Sequence, residues 1–176
     1  MHAKSHGERE VERLLGRAAE GWPPERIVGA AVRTVMFTDI VDSTLLTQEL
    51  GDDGSMRLLT THDRIVRQCL DDQDGREVKH TGDGIMASFD SVSRAIAAAL
   101  RVQERLAEQK AGDRAVRVRV GLAAGEPVAE AGDLFGVTVQ LAARICGAAT
   151  PGEVWVSNSV RELAAGKGFA SRTAVL

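Results

Sequence analysis

The sequence VMFTDIVDST at residues 35–44 combines a strand pattern, a carboxylate and a helix start. Its apolar half is rich in strand-forming residues and leads to Asp39, and small polar residues from Asp42 onward open a helical pattern. A carboxylate at a strand end, next to free N–H groups at a helix N-terminus, suits a metal ion and a phosphate. We therefore predict a strand ending near Asp39, a helix beginning near Ser43, and a ligand site between them.

A second carboxylate follows in the sequence EVKHTGDGIMASF at residues 77–89. This pattern predicts two short strands joined at Gly82-Asp83-Gly84, where glycine supplies the conformational freedom of a tight turn. If the strand leading to Asp39 neighbours this hairpin, Asp39 and Asp83 converge. Two carboxylates beside free N–H groups suit a divalent metal and a polyphosphate.

The composition favours a globular domain and argues against a nucleic-acid or membrane partner. The chain has 176 residues, of which 44% are hydrophobic, enough for one domain with a proper core. Aromatic residues make up 3% with no Tyr, which disfavours stacking on bases. A net charge of -3 disfavours anionic surfaces. Any charge that binds phosphate must therefore be local.

The N-terminal sequence does not resemble a signal peptide. Residues 1–10 carry charges of both signs without an apolar core, and no run approaches the ~20 apolar residues of a membrane span. We expect a cytoplasmic protein. Residues 1–27 are predicted to be a helix, with apolar spacing over 8–20, and a linker. That helix either packs on the domain or mediates association, and its sequence does not distinguish the two.

The rest of the chain, residues 28–176, is predicted to be one α+β domain. Strands are expected at 28–38, 77–89 (the hairpin), 116–124 and 153–156, with 126–130 as a possible hairpin partner of 116–124. Helices are expected at 43–49, 56–70, 91–108, 137–146 and 157–165. In the 91–108 helix the pattern predicts that Leu100 faces the core. The order is that of a ferredoxin-like βαββαβ core with extra terminal elements.

Several other polar residues have both a structural and a functional interpretation. Ser43 and Thr44 either cap a helix or offer N–H groups to phosphate. Lys79 lies four residues before Asp83, in the hairpin strand, and such a lysine is more often a surface residue. His62 and His80 lack metal-ligand spacing, so we interpret both as structural or solvent-facing.

A row of polar residues follows near the predicted helix 137–146. Asp133, Gln140 and Arg144 are spaced by seven and four, which places them along one helix face and its N-terminal approach. They form either an ordinary solvated face or a row of donors and acceptors aimed at one ligand. Spacing alone favours the solvated face.

Three motifs together resemble a known family. FTDIVDST, KHTGDG and DLFGVTVQLAARI occur in the order and at the spacings of class III nucleotidyl cyclase catalytic domains, and most resemble short soluble bacterial adenylyl cyclases of the mycobacterial type. The resemblance extends over about residues 32–169. Each motif alone is weak, but the combination is specific.

The resemblance implies a head-to-tail homodimer that makes cyclic AMP and pyrophosphate from ATP. Asp39 and Asp83 would bind two Mg²⁺ or Mn²⁺ ions per site, with the backbone carbonyl of Ile40 on the second ion. One ion would lower the pKa of the ribose 3′-OH, and the other would hold the β- and γ-phosphates. The expected phosphate-binding positions are Ile40, Val41, Ser43 and Thr44.

The resemblance also implies that each site takes residues from both chains. From the partner, Lys79 and Asp133 would contact adenine, because lysine donates to a ring nitrogen and the carboxylate accepts from the exocyclic amine. Arg144 would stabilise transition-state charge, and Gln140 would orient the ribose. A two-fold dimer would then hold two equivalent composite sites.

Some positions depart from the family pattern. Gln140 stands where the family usually has Asn, and Asp42 replaces a small residue. Ala123 and Ala124 replace a more usual polar pair. The family's Leu-Lys-Gly, whose lysine reaches the triphosphate, would follow Leu176, so we expect either that the C-terminus is cut short or that this version lacks the contact.

Three alternatives remain at this point. A degenerate cyclase-like domain would bind nucleotide and regulate without turnover, as Gln140 and the missing lysine suggest. A diguanylate cyclase would need a G-G-[DE]-E-F hairpin, which residues 81–84 do not supply. A guanylyl cyclase would have an acidic residue in place of Lys79.

Overall fold

A computed structural model describes residues 31–169 of the chain. Over that range the strands are β1 Arg33–Ile40, β2 Arg76–His80, β3 Ile85–Phe89, β4 Lys110–Ala111, β5 Arg114–Ala115, β6 Val118–Gly125, β7 Val128–Glu130, β8 Asp133–Phe135 and β9 Val154–Val156. The helices are α1 Ser43–Asp71, α2 Val92–Ala107, α3 Val137–Ala148 and α4 Asn158–Leu163. The predicted N-terminal helix at 8–20 lies outside the described residues.

A five-stranded sheet in the order β2-β3-β1-β6-β9 forms the centre of the fold. β1 runs antiparallel to β3 and to β6, and β2 runs antiparallel to β3. This order and these directions are those of a ferredoxin-like βαββαβ core, so the predicted fold class is confirmed. β9 extends the sheet as a parallel strand beside β6.

Helices cover both faces of this sheet. α1 and α2 pack on one face, where Met36, Ile40 and Ile85 belong to the larger buried cluster. α3 packs on the other face, where Val35 and Met86 belong to a second cluster. The neighbours Val35 and Met36 belong to different clusters because successive side chains of a strand point to opposite faces of the sheet. Full burial of each large side chain contributes roughly 1.5–3 kcal/mol to stability.

α1 contains the two helices that the sequence predicts at 43–49 and 56–70. Gly51, with φ 67° and ψ 179°, is the non-helical residue inside it, so two helical segments meet there. The second segment begins directly after Gly51 rather than at residue 56.

None of the helices described over residues 31–169 is long and apolar enough to cross a membrane.

α2 follows its predicted range, but one predicted core residue is wrong. Ser91 caps the helix, since its Oγ accepts a hydrogen bond from the Arg94 N–H at 3.4 Å. Leu100 is 50% exposed, whereas Ala98 and Val102 are fully buried. Because each residue advances by 100° around the helix, position 100 lies on the side opposite the buried stripe that includes Val102 and Leu106.

The prediction that 126–130 pairs with the strand at 116–124 is also wrong. β1 and β9 occupy the two edges of β6, so no edge is left for a hairpin partner. β7 pairs instead with β8, in the register Val128 to Phe135 and Glu130 to Asp133. Ala131 and Gly132, both with positive φ, form the two-residue loop of this small hairpin.

The first strand is shifted relative to its prediction at 28–38. β1 runs to Ile40, so Asp39 lies inside the strand and not after it. The strand and helix predicted at 153–156 and 157–165 are confirmed as β9 and α4, with Ser157 as the helix cap. Asp39 therefore projects from the sheet with the regular alternation of a strand residue.

Candidate active site

Asp39 and Asp83 meet beside the end of β1. β1 and β3 are paired in the register Phe37 to Met86, which brings the turn before β3 alongside Asp39. The Ile40 N–H donates to the Asp83 carbonyl at 3.1 Å. Burial raises the pKa of Asp39, and the nearby charge of Asp83 raises it further. We call Asp39 and Asp83 the carboxylate pair.

Two contacts hold Asp83 in place. A Cβ on Gly84 would lie 1.8 Å from the Thr38 carbonyl oxygen, so only glycine lets the turn approach β1 this closely. The Ser43 Oγ donates to Asp83 Oδ2 at 2.7 Å. The start of α1 and the end of β1 thus position this carboxylate together.

Burial is the main cause of a raised pKa at Asp39. Desolvation disfavours the carboxylate, and Asp83 adds repulsion. A hydrogen bond from Arg119 acts in the opposite direction and lowers the pKa. Two half-buried carboxylates that repel each other are an arrangement that a divalent cation stabilises.

Arg119 is a site residue that the sequence analysis missed. Its Nε donates to Asp39 Oδ2 at 2.9 Å, and its Nη2 pairs with the same oxygen. Its Nη1 donates to the Gly147 carbonyl in α3 at 3.1 Å. The available signal was the Val-Arg alternation at 116–120, which puts Arg119 on one face, but its pairing with Asp39 depends on the β1–β6 register.

A cleft of about 180 Å³ lies against Asp83 and the end of β1, and Asp39 is not among its lining residues. Its lining includes Ile40, Ser43, Thr44, Thr47 and Asp83. Among them are four of the residues that the sequence analysis selects. The cleft therefore joins Asp83 to the start of α1.

The backbone N–H groups near this cleft divide into two sets. The Ile40 N–H is bonded to Asp83 and the Val41 N–H donates to the Arg117 carbonyl at 2.9 Å, so both are used within the fold. The first helical hydrogen bond of α1 runs from the Leu46 N–H to the Asp42 carbonyl at 2.9 Å. The N–H groups of Ser43 and Thr44 precede it and have no acceptor within the helix.

The donor set at the cleft fits Mg²⁺ or Mn²⁺. Carboxylate and hydroxyl oxygens are the hard ligands that these ions prefer. Over residues 31–169 no group of three or more His, Cys, Asp or Glu side chains is arranged to hold a metal. The remaining ligands would then be backbone carbonyls, water and substrate phosphate, as is usual for Mg²⁺.

Lys79 and Asp133 form a second cluster, which we call the lysine–aspartate pair. The Lys79 Nζ donates to Asp133 Oδ2 at 2.6 Å and lies 5.6 Å from the centre of the Phe135 ring. Hydrogen bonds from Lys79 and from the Leu134 N–H lower the pKa of Asp133, so its carboxylate is ionised at neutral pH.

A β-bulge in β2 directs Lys79 toward this cluster. Glu77 pairs with Ala87 while Lys79 pairs with Met86, so Val78 is an extra residue. Met86 belongs to the buried cluster under α3, and Lys79 therefore shares that face. Strict alternation from Glu77 would have placed it on the opposite face. Asp83 lies in the turn between β2 and β3, where the sequence pattern predicts it.

Gln140 and Arg144 lie on the exposed side of α3. Within residues 31–169, Arg144 has no ion pair or hydrogen bond through its guanidinium. The structure thus brings together Asp39 with Asp83 and Lys79 with Asp133. Among the described residues, neither Gln140 nor Arg144 forms a hydrogen bond or ion pair with either pair.

Comparison with known proteins identifies the family. Residues 30–174 match the sequence model of the adenylate and guanylate cyclase catalytic domain. The chain belongs to this family. The cyclase domain is 35% identical over 127 residues to an uncharacterized protein of Mycobacterium tuberculosis, a match that covers 72% of this chain and 33% of that protein.

A second relative carries a more specific name. The cyclase domain is 34% identical over 136 residues to putative adenylate cyclase 3 of Rhizobium meliloti, a match that covers 76% of this chain and 23% of that protein. The chain therefore spans a third or less of the length of these two relatives.

A solved structure shows the same fold. The monomeric guanylyl cyclase domain of the RhoGC fusion protein from the aquatic fungus Blastocladiella emersonii matches with a TM-score of 0.73 and 20% identity, over 77% of this chain and 85% of that chain. The family and fold predicted from the three motifs are therefore confirmed. This fold occurs with adenylate and with guanylate cyclase names, so the fold alone does not select the base.

Proposed function

We propose that this domain is an adenylyl cyclase that converts ATP to 3′,5′-cyclic AMP and pyrophosphate. The observation that carries the proposal is the convergence of Asp39 and Asp83 beside the first turn of α1 in a member of the cyclase family. Paired carboxylates next to unsatisfied helix N–H groups suit a metal–triphosphate substrate. Relatives named adenylate cyclase favour ATP over GTP.

Asp39, Asp83 and the Ile40 carbonyl would hold two Mg²⁺ or Mn²⁺ ions. When bound, such ions lower the pKa of the ribose 3′-OH and neutralise the phosphates. Around them the N–H groups of Ser43 and Thr44 bind phosphate oxygens, with the N-terminal partial charge of α1 behind them. The Ser43 hydroxyl fixes the orientation of the Asp83 carboxylate.

The lysine–aspartate pair would select adenine. The Lys79 Nζ donates to a ring nitrogen, and Asp133 accepts from the exocyclic amine, so guanine, with a protonated ring nitrogen and a carbonyl in place of that amine, mismatches both. The lowered pKa of Asp133 keeps it an acceptor. The base has to replace the hydrogen bond that the two side chains make with each other at 2.6 Å.

A homodimer with composite sites is the proposed assembly. Apolar side chains around β7, β8 and the start of α3 are exposed, with Val128 at 62%, Phe135 at 46% and Val137 at 80%. Such a patch is typical of a protein–protein interface. A second copy on this face brings the exposed Arg144 and Gln140 to the partner's carboxylate pair, where Arg144 stabilises phosphoryl charge and Gln140 orients the ribose.

We place the protein in the cytoplasm and the start of the catalytic domain near residue 28.

Product analysis tests the activity directly. The full chain is incubated with ATP and, separately, with GTP in Mn²⁺, and the nucleotide products are identified. We expect cyclic AMP and pyrophosphate from ATP. Cyclic GMP as the main product would overturn the adenine assignment but leave the cyclase assignment standing.

Mixing two inactive variants tests the composite site. Asp39→Ala and Arg144→Ala each remove a contribution from a different chain, so one of the two sites in a mixed dimer is intact. We expect activity to return on mixing. Arg64→Ala, which removes another exposed arginine without an ion pair in the described chain, is the matched control and is expected to be active alone. No recovery in proven heterodimers would contradict shared sites.

A nucleotide-binding domain without turnover is the second candidate function. Gln140 supports it, because its extra methylene displaces the amide that is proposed to orient the ribose. The direct Lys79–Asp133 contact supports it as well, because it occupies both base-reading groups. ATP binding in Mn²⁺ with no cyclic product would favour this function.

A further inference from the structure

Two histidines and an aspartate connect α1 to the turn that carries Asp83. His62 is fully buried in α1, and its Nδ1 lies 3.0 Å from Asp63 Oδ1. The same carboxylate lies 3.0 Å from the His80 Nε2 at the end of β2. The Gly82 N–H, next to Asp83, donates to the His80 Nδ1 at 3.1 Å. We call His62, Asp63 and His80 the histidine–aspartate network.

The network also reaches the other side of the turn. The His62 Nε2 lies 3.3 Å from the Thr38 Oγ1, and this oxygen accepts from the Ile85 N–H at 3.0 Å. Gly82 and Ile85 lie on either side of Asp83. The turn is therefore held at both ends by one connected set of side chains.

The hydrogen-bond directions are consistent throughout. Because the Gly82 N–H is a donor, the His80 Nδ1 accepts, and the His80 Nε2–H then donates to Asp63. The His62 Nδ1–H donates to the same carboxylate, which leaves its Nε2 to accept from the Thr38 hydroxyl. Every member is satisfied with both rings neutral. Burial, which lowers the pKa of His62, favours the neutral form of that ring.

We propose that His80, oriented by Asp63 and His62, is a positioning residue that holds the 81–84 turn so that Asp83 meets Asp39. The inference rests on the proposed metal role of this pair. His80 does not touch the carboxylate pair in the described structure, and it acts through the Gly82 N–H. The β2 bulge supports this role, since it directs His80 toward α1 and Lys79 toward α3.

Two substitutions of His80 separate its two bonds. In His80→Asn the side-chain oxygen replaces Nδ1 and still accepts from Gly82. In His80→Gln the amide replaces Nε2, so the contact with Asp63 remains while the acceptor for Gly82 is lost. His80 is 36% exposed, so both variants are expected to fold.

The test measures Mn²⁺ binding to the full chain by calorimetry and hydrogen exchange of the Gly82 amide by NMR. For His80→Gln we expect about three- to tenfold weaker Mn²⁺ binding and similarly faster exchange, the effect of one lost hydrogen bond. For His80→Asn we expect values near those of the unmodified chain. Unchanged Mn²⁺ affinity in His80→Gln would overturn the inference.

Glu77→Ala is the matched control. Glu77 also ties β2 to α1, since its Oε2 accepts from the Arg67 Nε at 2.6 Å, but it has no hydrogen bond or ion pair with Asp63 or His80 in the described structure. We expect no change in Mn²⁺ affinity or in Gly82 exchange. An effect as large as that of His80→Gln would mean that docking of α1 on β2 is what matters, and would overturn the inference. Mn²⁺ affinities that respond as expected in a chain that makes no cyclic nucleotide would support the inference while the proposed cyclase activity fails.

Discussion

Two aspartates in this domain have opposite electrostatic settings. Asp39 lies within the sheet, where burial raises its pKa. Asp133 lies on the small β7–β8 hairpin, where hydrogen bonds from Lys79 and the Leu134 N–H lower its pKa. Burial disfavours the ionised carboxylate, whereas hydrogen-bond donors stabilise it, so the pKa values of the two aspartates shift in opposite directions. Under the proposed function, the carboxylate pair is the metal end, which a cation would complete, and the lysine–aspartate pair is the base-reading end, where the substrate base would replace the contact between Lys79 and Asp133.

The largest expected effect is at the metal end. Asp39→Ala should reduce turnover by roughly a thousandfold, because several kcal/mol of metal-dependent charge stabilisation are lost. Steady-state rates at saturating ATP and Mn²⁺ measure it. Turnover within about tenfold of the unmodified chain would show that the carboxylate pair does not bind the catalytic metal.

Gly84→Ala tests whether the metal end depends on close backbone approach. The new Cβ would meet the Thr38 carbonyl, and we expect unfolding to become about 1–3 kcal/mol easier, with loss of activity. Urea denaturation gives the free energy of unfolding. Gly147→Ala, where a Cβ meets no atom within 4 Å, is the control and should leave stability equal or slightly higher. Equal effects of the two substitutions would contradict this account.

Lys79→Ala tests the base-reading end. We expect the preference for ATP over GTP, as a ratio of kcat/KM, to fall about tenfold, because one hydrogen bond to the base is lost. The turnover number should fall less than in Asp39→Ala. Lys110→Ala, at another exposed lysine, should leave the ratio unchanged. Turnover in Lys79→Ala that falls as far as in Asp39→Ala, with an unchanged ATP-to-GTP ratio, would contradict the base-reading role of Lys79.

The smallest expected effect is on the pH dependence of stability, through His62 on the face of the sheet opposite Asp39. Burial lowers the pKa of His62, so the unfolded chain takes up a proton more readily than the folded one. The free energy of unfolding should therefore fall as the pH drops below about 6.5. Urea titrations at pH 7 and pH 5 measure the slope. His62→Gln should be less stable at pH 7 but less sensitive to this change, and an identical slope would contradict the assignment.

Much of the fold could be predicted from local pattern. The turn at Gly82-Asp83-Gly84, the helix after Ser91 and the strand before Val156 all depend on nearest neighbours, because capping and turn chemistry act over a few residues. The break in α1 at Gly51 is likewise a local feature, which depends on the residue at that position. These elements were predicted to within a few residues.

The misassigned parts depend on competition between distant segments. The stretch at 126–130 has a strand pattern, but its partner is decided by which edge of β6 is free, and β1 and β9 occupy both. The face of Lys79 is decided by one extra residue in β2, which periodicity does not detect. The role of Arg119 depends on register, since it faces Asp39 only through the β1–β6 pairing.

The sequence by itself determined the elements, the order of a βαββαβ core and the two carboxylates close to strand ends, because backbone propensity and side-chain period are local properties. The tertiary structure alone decided that Arg119 neutralises Asp39, that Lys79 shares a face with Asp133, and that two histidines hold the turn at Asp83. Those contacts join residues far apart in the chain, and they exist only once strand register and helix packing have set which side chains meet.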